Sequence, residues 1–299
     1  MDSFALQAAN RLVGNAPGDA AIEITAGGAA FRVVSHAAVA VSLAGADWRP
    51  SLNRRAIPMW TAWVARPGDM LEMPGPRGGW GARAYLAVGG GIDVPMVLGS
   101  RSTDLAGGFG GNQGRALQAG DVLAAYPPAA QPERWAGRRY RDEARPNYSS
   151  GPVVRVVPGP HLDLVDCVAL FGQTWRVGPQ SNRMGYRIEG ASAPHTQPHS
   201  LPSFGVLPGS LQIPADGQPI LLMADAQTTG GYPAAGVVIQ ADLPLCAQLL
   251  PGDSLRFVEA GLEEAVAARR EQWFRLERGI EQPDDEGEGE ALMWAGALS

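Results

Sequence analysis

Short apolar runs separated by glycine and proline dominate the first third of the chain. Ala21–Thr25, Ala30–Val34, Ala38–Leu43, Trp60–Ala65, Met70–Met73 and Ala82–Val88 have strand length, rough alternation and turn residues at their ends. One helical pattern precedes them. It opens at Ser3, a residue suited to an N-cap, and groups Phe4, Ala5, Ala8, Ala9, Leu12 and Val13; Gly14 follows where a left-handed C-terminal residue belongs. A second β-rich half begins at Val153, with further strands at Thr174–Val177 and in the charge-free run Pro219–Ala224, which reads as buried. Leu162–Phe171 and Leu262–Ile280 read as helices, the latter with apolar Leu262, Ala265, Val266, Trp273 and Leu276 among opposed charges. The pattern predicts a mainly β protein with a few helices.

Three turns share one form, Pro/Ala-Gly-Asp-x-Leu, at 67–71, 119–123 and 251–255. In each, glycine suits a positive φ and aspartate can accept from local backbone. Their recurrence suggests two similar barrel-like halves. The predicted division is an N-terminal half over 1–126, a linker over 127–152 rich in Pro, Arg and acidic residues, a barrel half over 153–260, a helix over 261–280 and an acidic, disordered tail over 281–299. In the linker, Arg134, Arg138, Arg139 and Arg141 are offset by Glu133, Asp142 and Glu143, which reads as a solvated face.

Composition narrows the function. Gly 39 and Pro 25 in 299 residues favour short strands and turns over long helices. A net charge of −6 argues against nucleic acid or an acidic membrane as partner. No apolar run is long enough to span a bilayer, and no signal segment opens the chain, so it reads as cytoplasmic. Cys167 and Cys246 lie in apolar contexts and read as reduced core residues. All 24 basic residues are arginine. Without lysine there is no P-loop lysine, Schiff base, Ser-Lys pair or lysine-borne biotin within these residues.

Two polar stretches carry candidate chemistry. After the run Pro219–Ala224 come Asp225, Gln227, Thr228, Thr229, Gly230, Gly231, Tyr232 and Pro233, a convergence of hydrogen-bonding groups at the end of a buried strand. The glycine-rich segment 89–115 carries Ser100, Arg101, Ser102 and Asp104, with Arg101 suited to a carboxylate fork and bare N–H groups over 107–111. An Ω-like surface loop ordered by its own Asp and Ser contacts reads equally well for that segment. Ser181–Arg187 forms a compact polar loop with Arg183. His195 and His199 stand four apart, but Pro194 and Pro198 prevent the helix that would align them on a metal. His161 lies between prolines and a helix start, a catalytic candidate whose plainer role is capping or packing.

The blocks Asn10–Asn15, Gly90–Gly120, Val156–Pro160, Ser181–Gly190 and Leu207–Phe257, taken in this order, resemble the KipA-like family. That family is also called the 5-oxoprolinase C subunit, allophanate hydrolase subunit 2 or biotin-dependent carboxyltransferase domain. The resemblance runs from residue 1 to about 258. It implies a cyclophilin-like β-barrel architecture and a complex with a KipI-like partner (the 5-oxoprolinase B subunit) and a third chain (the A subunit). Such a complex hydrolyses 5-oxo-L-proline to L-glutamate with ATP, this chain binding no cofactor itself. On that basis Asp225, Gln227, Thr229 and Tyr232 are the catalytic candidates. Ser100, Arg101, Ser102, Asp104, Arg183, Thr228, Gly230 and Gly231 are the substrate-binding candidates, and no metal is expected.

Two alternatives accompany that reading. One is a urea carboxylase-like carboxyltransferase component, which would use biotin on a separate carrier. The other is a non-enzymatic regulator that binds a KipI-like kinase inhibitor. Amidase-type allophanate hydrolysis is set aside, because its Ser-Ser-Lys triad needs a lysine. Two departures from the family are visible: its usual upstream Gly-rich segment and first strand are not in this sequence, and Ala234 stands where a basic residue often follows Gly-Gly-Tyr-Pro. An edge strand would then be missing or supplied by a partner.

Overall fold

Alternation and glycine punctuation become strands close to where the pattern places them. The computed structural model describes residues 1–76, 80–197 and 200–283. They form two compact units: a sheet unit of residues 3–145 with 276 onward, and a barrel unit of residues 1–2 with 146–275.

In the sheet unit a six-stranded sheet runs in the order Ile22–Thr25, Trp80–Val88, Val39–Asp47, Thr61–Ala65, Arg139–Tyr140, Ile280–Glu281. A four-stranded sheet runs Ala29–Arg32, Met70–Met73, Ser51–Leu52, Arg55–Ala56. The central strands Val39–Asp47 and Trp80–Val88 are buried along nearly their whole length. Helix α1 (Ser3–Leu12) packs on them, and its small residues Ala5, Ala8 and Ala9 permit close approach. The Ser42 hydroxyl seals the contact by donating to Ala9 O at 2.6 Å. Phe4, Trp60 and Tyr140 close the core with ring centroids 6.2–6.3 Å apart.

The barrel unit holds a closed barrel of seven strands: Val153–Pro158, Ala234–Val238, Ser210–Gln212, Ile220–Leu222, Gly185–Glu189, Trp175–Val177 and Ser254–Glu259, the last returning to the first. Val153–Pro158 and Ser254–Glu259 pair in parallel; the other neighbours are antiparallel. Alternate residues fill the interior, as the two-residue period of a strand requires: Val154 and Val156, Trp175 and Val177, Tyr186 and Ile188, Leu255 and Phe257. The chain is thus mainly β, and the described residues add α2 (Cys167–Phe171), α3 (Leu243–Ala247) and α4 (Leu262–Arg278) to α1.

Several details differ from the pattern. The helix expected over Leu162–Phe171 is interrupted: Leu162–Leu164 is a 3₁₀ turn, Val165 is extended, and Asp166 caps α2 by accepting from Ala169 N at 2.9 Å. Residues 127–152, poor in hydrophobes, contain two 3₁₀ turns and the strand Arg139–Tyr140. Glu281 belongs to a strand, and the acidic residues 284–299 lie outside the described residues. Cys246 is buried as expected, but Cys167, at the start of α2, is exposed. Among the described residues no helix is long and apolar enough to cross a membrane.

Candidate functional site

The strand Ile220–Leu222 is fully buried, as its charge-free sequence requires, and the chain leaves the barrel wall directly after it. Thr229–Gly230 then pairs with Phe204–Gly205 in a ribbon only two residues long, with Phe204 opposite Gly230. Val206 N donates to Thr228 O at 3.0 Å, extending the ribbon by one bond. Gln227, Thr228, Thr229, Gly231 and Tyr232 are exposed around it, Tyr232 by 50%.

Beneath Gly230 lies a residue that sequence alone does not single out. Gln212 sits at a register shift in the barrel strand Ser210–Gln212, is 1% exposed, and its Nε2 has no acceptor among the described residues. A Cβ at position 230 would overlap that nitrogen, which explains the glycine there. A signal was present: Gln212 interrupts an otherwise apolar buried segment between Leu211 and Ile213. His161 is close by. Its ring packs on Phe204 with centroids 4.8 Å apart, and its Nδ1 accepts from Ala234 N at 3.4 Å. It precedes the 3₁₀ turn without capping it by its side chain, so its role here is packing.

Arg183 and Asp225, to which the sequence assigns separate tasks, are each other's partner. Arg183 Nε and Nη2 donate to Asp225 Oδ2 and Oδ1 at 2.7 and 3.0 Å in a two-point fork. Both carboxylate oxygens are engaged, so the pair is built for holding the turn in place.

The second predicted stretch lies in the sheet unit. Asp104 Oδ1 accepts from Gly107 N at 2.8 Å, its backbone pairs with Phe109, and Ser100 Oγ accepts from Ser102 N at 3.1 Å. Gly110 and Gly114 have φ of +73° and +68°, and a Cβ on either would overlap a carbonyl oxygen across the loop. Ser100, Ser102 and Asp104 therefore order the loop itself. Arg101 is different: it donates from Nη1 to Val94 O at 3.1 Å and lies 5.3 Å from the Tyr126 ring centroid, and no described carboxylate pairs with it. The Tyr126 phenol is held above its usual pKa, chiefly by hydrogen bonding to Asp93, with burial second. Large apolar side chains are exposed in this loop, among them Leu98 at 92%, Met96 and Leu105, and Val122 just beyond it is 74% exposed.

Among the described residues the histidines form no metal centre. His195 Nε2 lies 2.9 Å from Ile213 O in an irregular segment, and His199 lies outside the described residues. Among the described residues no three His, Cys, Asp or Glu side chains gather as ligands.

Residues 1–259 match the family described as carboxyltransferase domain, subdomain A and B, and the chain belongs to that family. Within it, the chain is 40% identical over 281 residues to the 5-oxoprolinase C subunit of Escherichia coli, covering 91% of this chain and 85% of that protein. It is 36% identical over 283 residues to the 5-oxoprolinase C subunit of Haemophilus influenzae, covering 93% and 87%. Among solved structures, the urea carboxylase of Kluyveromyces lactis superposes with a TM-score of 0.83 at 28% identity over 96% of this chain, which spans 27% of that longer protein.

Proposed function

We propose that this chain is the non-nucleotide-binding subunit of an ATP-dependent 5-oxoprolinase. It acts with a KipI-like B subunit and with a third chain, the A subunit, to convert 5-oxo-L-proline to L-glutamate. The observation that carries this reading is the correspondence, over most of both chains, to two relatives named as the C subunit of 5-oxoprolinase. Opening a lactam with ATP needs its carbonyl polarised and a phosphorylated intermediate kept from water. With no lysine and no nucleotide motif, this chain supplies binding groups and leaves the nucleotide to a partner.

In this reading those groups have different tasks. In the sheet unit Arg101, which lies over the Tyr126 ring and pairs with no described carboxylate, is the group suited to gripping a carboxylate, whereas Arg183 of the barrel unit is committed to Asp225. Gln227, Thr229 and Tyr232 offer exposed donors beside the Gly230–Gly231 turn, and Gln212 adds an amide that surrenders no hydrogen bond at Nε2 if it turns toward a carbonyl oxygen. The exposed apolar side chains of the loop 89–126 form the surface that a partner covers.

The test is glutamate release from 5-oxoproline and ATP by the co-expressed subunits, with and without this chain. Release that requires all three chains supports the reading; a stable complex without release refutes it. The family's carboxyltransferase description supports the second reading, carboxyl transfer from carboxybiotin. Avidin sensitivity of the reconstituted activity separates the two.

A further inference from the structure

The arginine cluster of the sheet unit is not uniformly neutralised. Arg139 pairs with Glu281, Arg141 with Glu143 at 3.5 Å, and Arg145 with Asp142 at 2.7 Å. Arg138 has no such partner among the described residues. Its Nη1 donates to Leu12 O at 3.3 Å, at the carbonyl end of α1, and its guanidinium stands 4.8 Å from the Trp135 ring centroid. Its Nε is buried and has no acceptor among the described residues. Burial lowers its pKa from the usual arginine range, and neighbouring Arg134 lowers it further while Tyr140 opposes.

This guanidinium lines a cleft of about 340 Å³ together with Arg11, Asn15, Trp135, Glu277, Ile280 and Gln282. The charge of Arg11 is already matched by its fork with Glu277, whose second bond is 3.1 Å long. Arg138 thus leaves the cleft one positive charge in excess. Trp135 is seated firmly: its indole fills the space a Cβ at Gly14 would need, and Gly14 has φ +76°. A partly desolvated cation is stabilised by an anion that can accept from its fork, and a flat indole beside it favours a ligand with a planar or apolar body.

We propose that this cleft binds a small carboxylate, its charge paired with Arg138 and its body laid along the Trp135 indole. The same chemistry has two sources: a free carboxylate, and the chain's own Asp284, Asp285 and Glu286, which follow Gln282 closely in sequence. The site is independent of the 5-oxoprolinase reading, since no group at the Gly230–Gly231 turn takes part.

Calorimetric titration of the full chain with benzoate at fixed ionic strength tests it, with inorganic phosphate as the comparison. Saturable benzoate binding is expected, weakened at least about tenfold by Arg138→Met and by less in Arg138→Lys. Trp135→Leu, which leaves every charge in place, weakens benzoate but not acetate. Binding that emerges only in an Asp284→Asn, Asp285→Asn, Glu286→Gln variant identifies the chain's own carboxylates as the occupant and supports the site. No binding in either chain, undiminished binding by a folded Arg138→Met protein, or equal affinity for phosphate overturns the proposal.

Discussion

At the scale of single residues, partner choice separates groups that look equivalent in sequence. Arg101 and Arg183 both suit a carboxylate, yet among the described residues only Arg183 finds one. Arg101→Ala in the reconstituted complex is expected to raise KM for 5-oxoproline about tenfold to a hundredfold, the range for losing a charged hydrogen bond. Unchanged steady-state constants would remove it from the site. Gln212 makes the opposite kind of prediction. An unsatisfied buried donor costs about 1–3 kcal/mol, so Gln212→Met should leave urea stability unchanged or higher while lowering turnover. A loss of stability above about 1 kcal/mol would mean the amide is satisfied within the fold. The polar turn at 225–232 was legible in the sequence, but the Arg183–Asp225 fork was not, because its members are joined by folding across 42 positions. Gln212 was not singled out in the sequence, although it is a polar residue in an apolar run, because its meaning emerges only with Gly230 above it.

At the scale of elements, the three Gly-Asp turns show how far local chemistry reaches. Gly68, Gly120 and Gly252 all have φ between +90° and +97°. Asp69, Asp121 and Asp253 each accept from the backbone N–H three residues earlier, at 2.7–2.8 Å. Such turns are legible because every partner lies within four residues. The elements they lead into were legible only in part: Asp69 opens onto the expected strand Met70–Met73 and Asp253 onto Ser254–Glu259, whereas Asp121 leads only to an isolated bridge at Ala125. Asp121 is also clasped by Arg115 at 2.8 Å through both carboxylate oxygens. That hydrogen bonding, with the Gln118 amide next, holds its pKa well below the ordinary carboxylate range. A folded pKa below the unfolded one means the contribution is fully present above about pH 3.9 and lost as pH falls through the depressed value. The Asp121 side-chain carbonyl resonance should therefore show no midpoint between about pH 3 and 5. A midpoint near 3.9 would show that the clasp is open in solution. The broken helix at 162–171 is the converse case: apolar spacing favoured one helix, but Asp166 offered a stronger local cap.

At the scale of the whole molecule, strand order is the least legible property, since a sheet neighbour can lie anywhere in the chain. Arg139–Tyr140 illustrates this. Its composition suggests a linker, yet it bridges Thr61–Ala65 and Ile280–Glu281 in the larger sheet. Burial likewise divides the two thiols in a way apolar context did not. Desolvation raises the Cys246 thiol far above its usual pKa, whereas Cys167 is exposed. Native protein should take up one equivalent of iodoacetamide, at Cys167, and a second only after unfolding. Rapid modification of both would contradict the packing around α3.

Closure of the barrel has a consequence for how strands of other molecules could join this one. A closed ring of seven strands offers no unpaired backbone rim, whereas among the described residues both sheets of the other unit end in open strands. One rim, Ile22–Thr25, carries Glu23, which accepts from the Tyr85 hydroxyl at 2.7 Å and lies 3.7 Å from the Arg83 Nε. A charge held in this way discourages a second sheet from zipping onto the first. Its removal by Glu23→Val would turn a guarded rim into a template, and fibrillar self-association would begin there and not in the barrel.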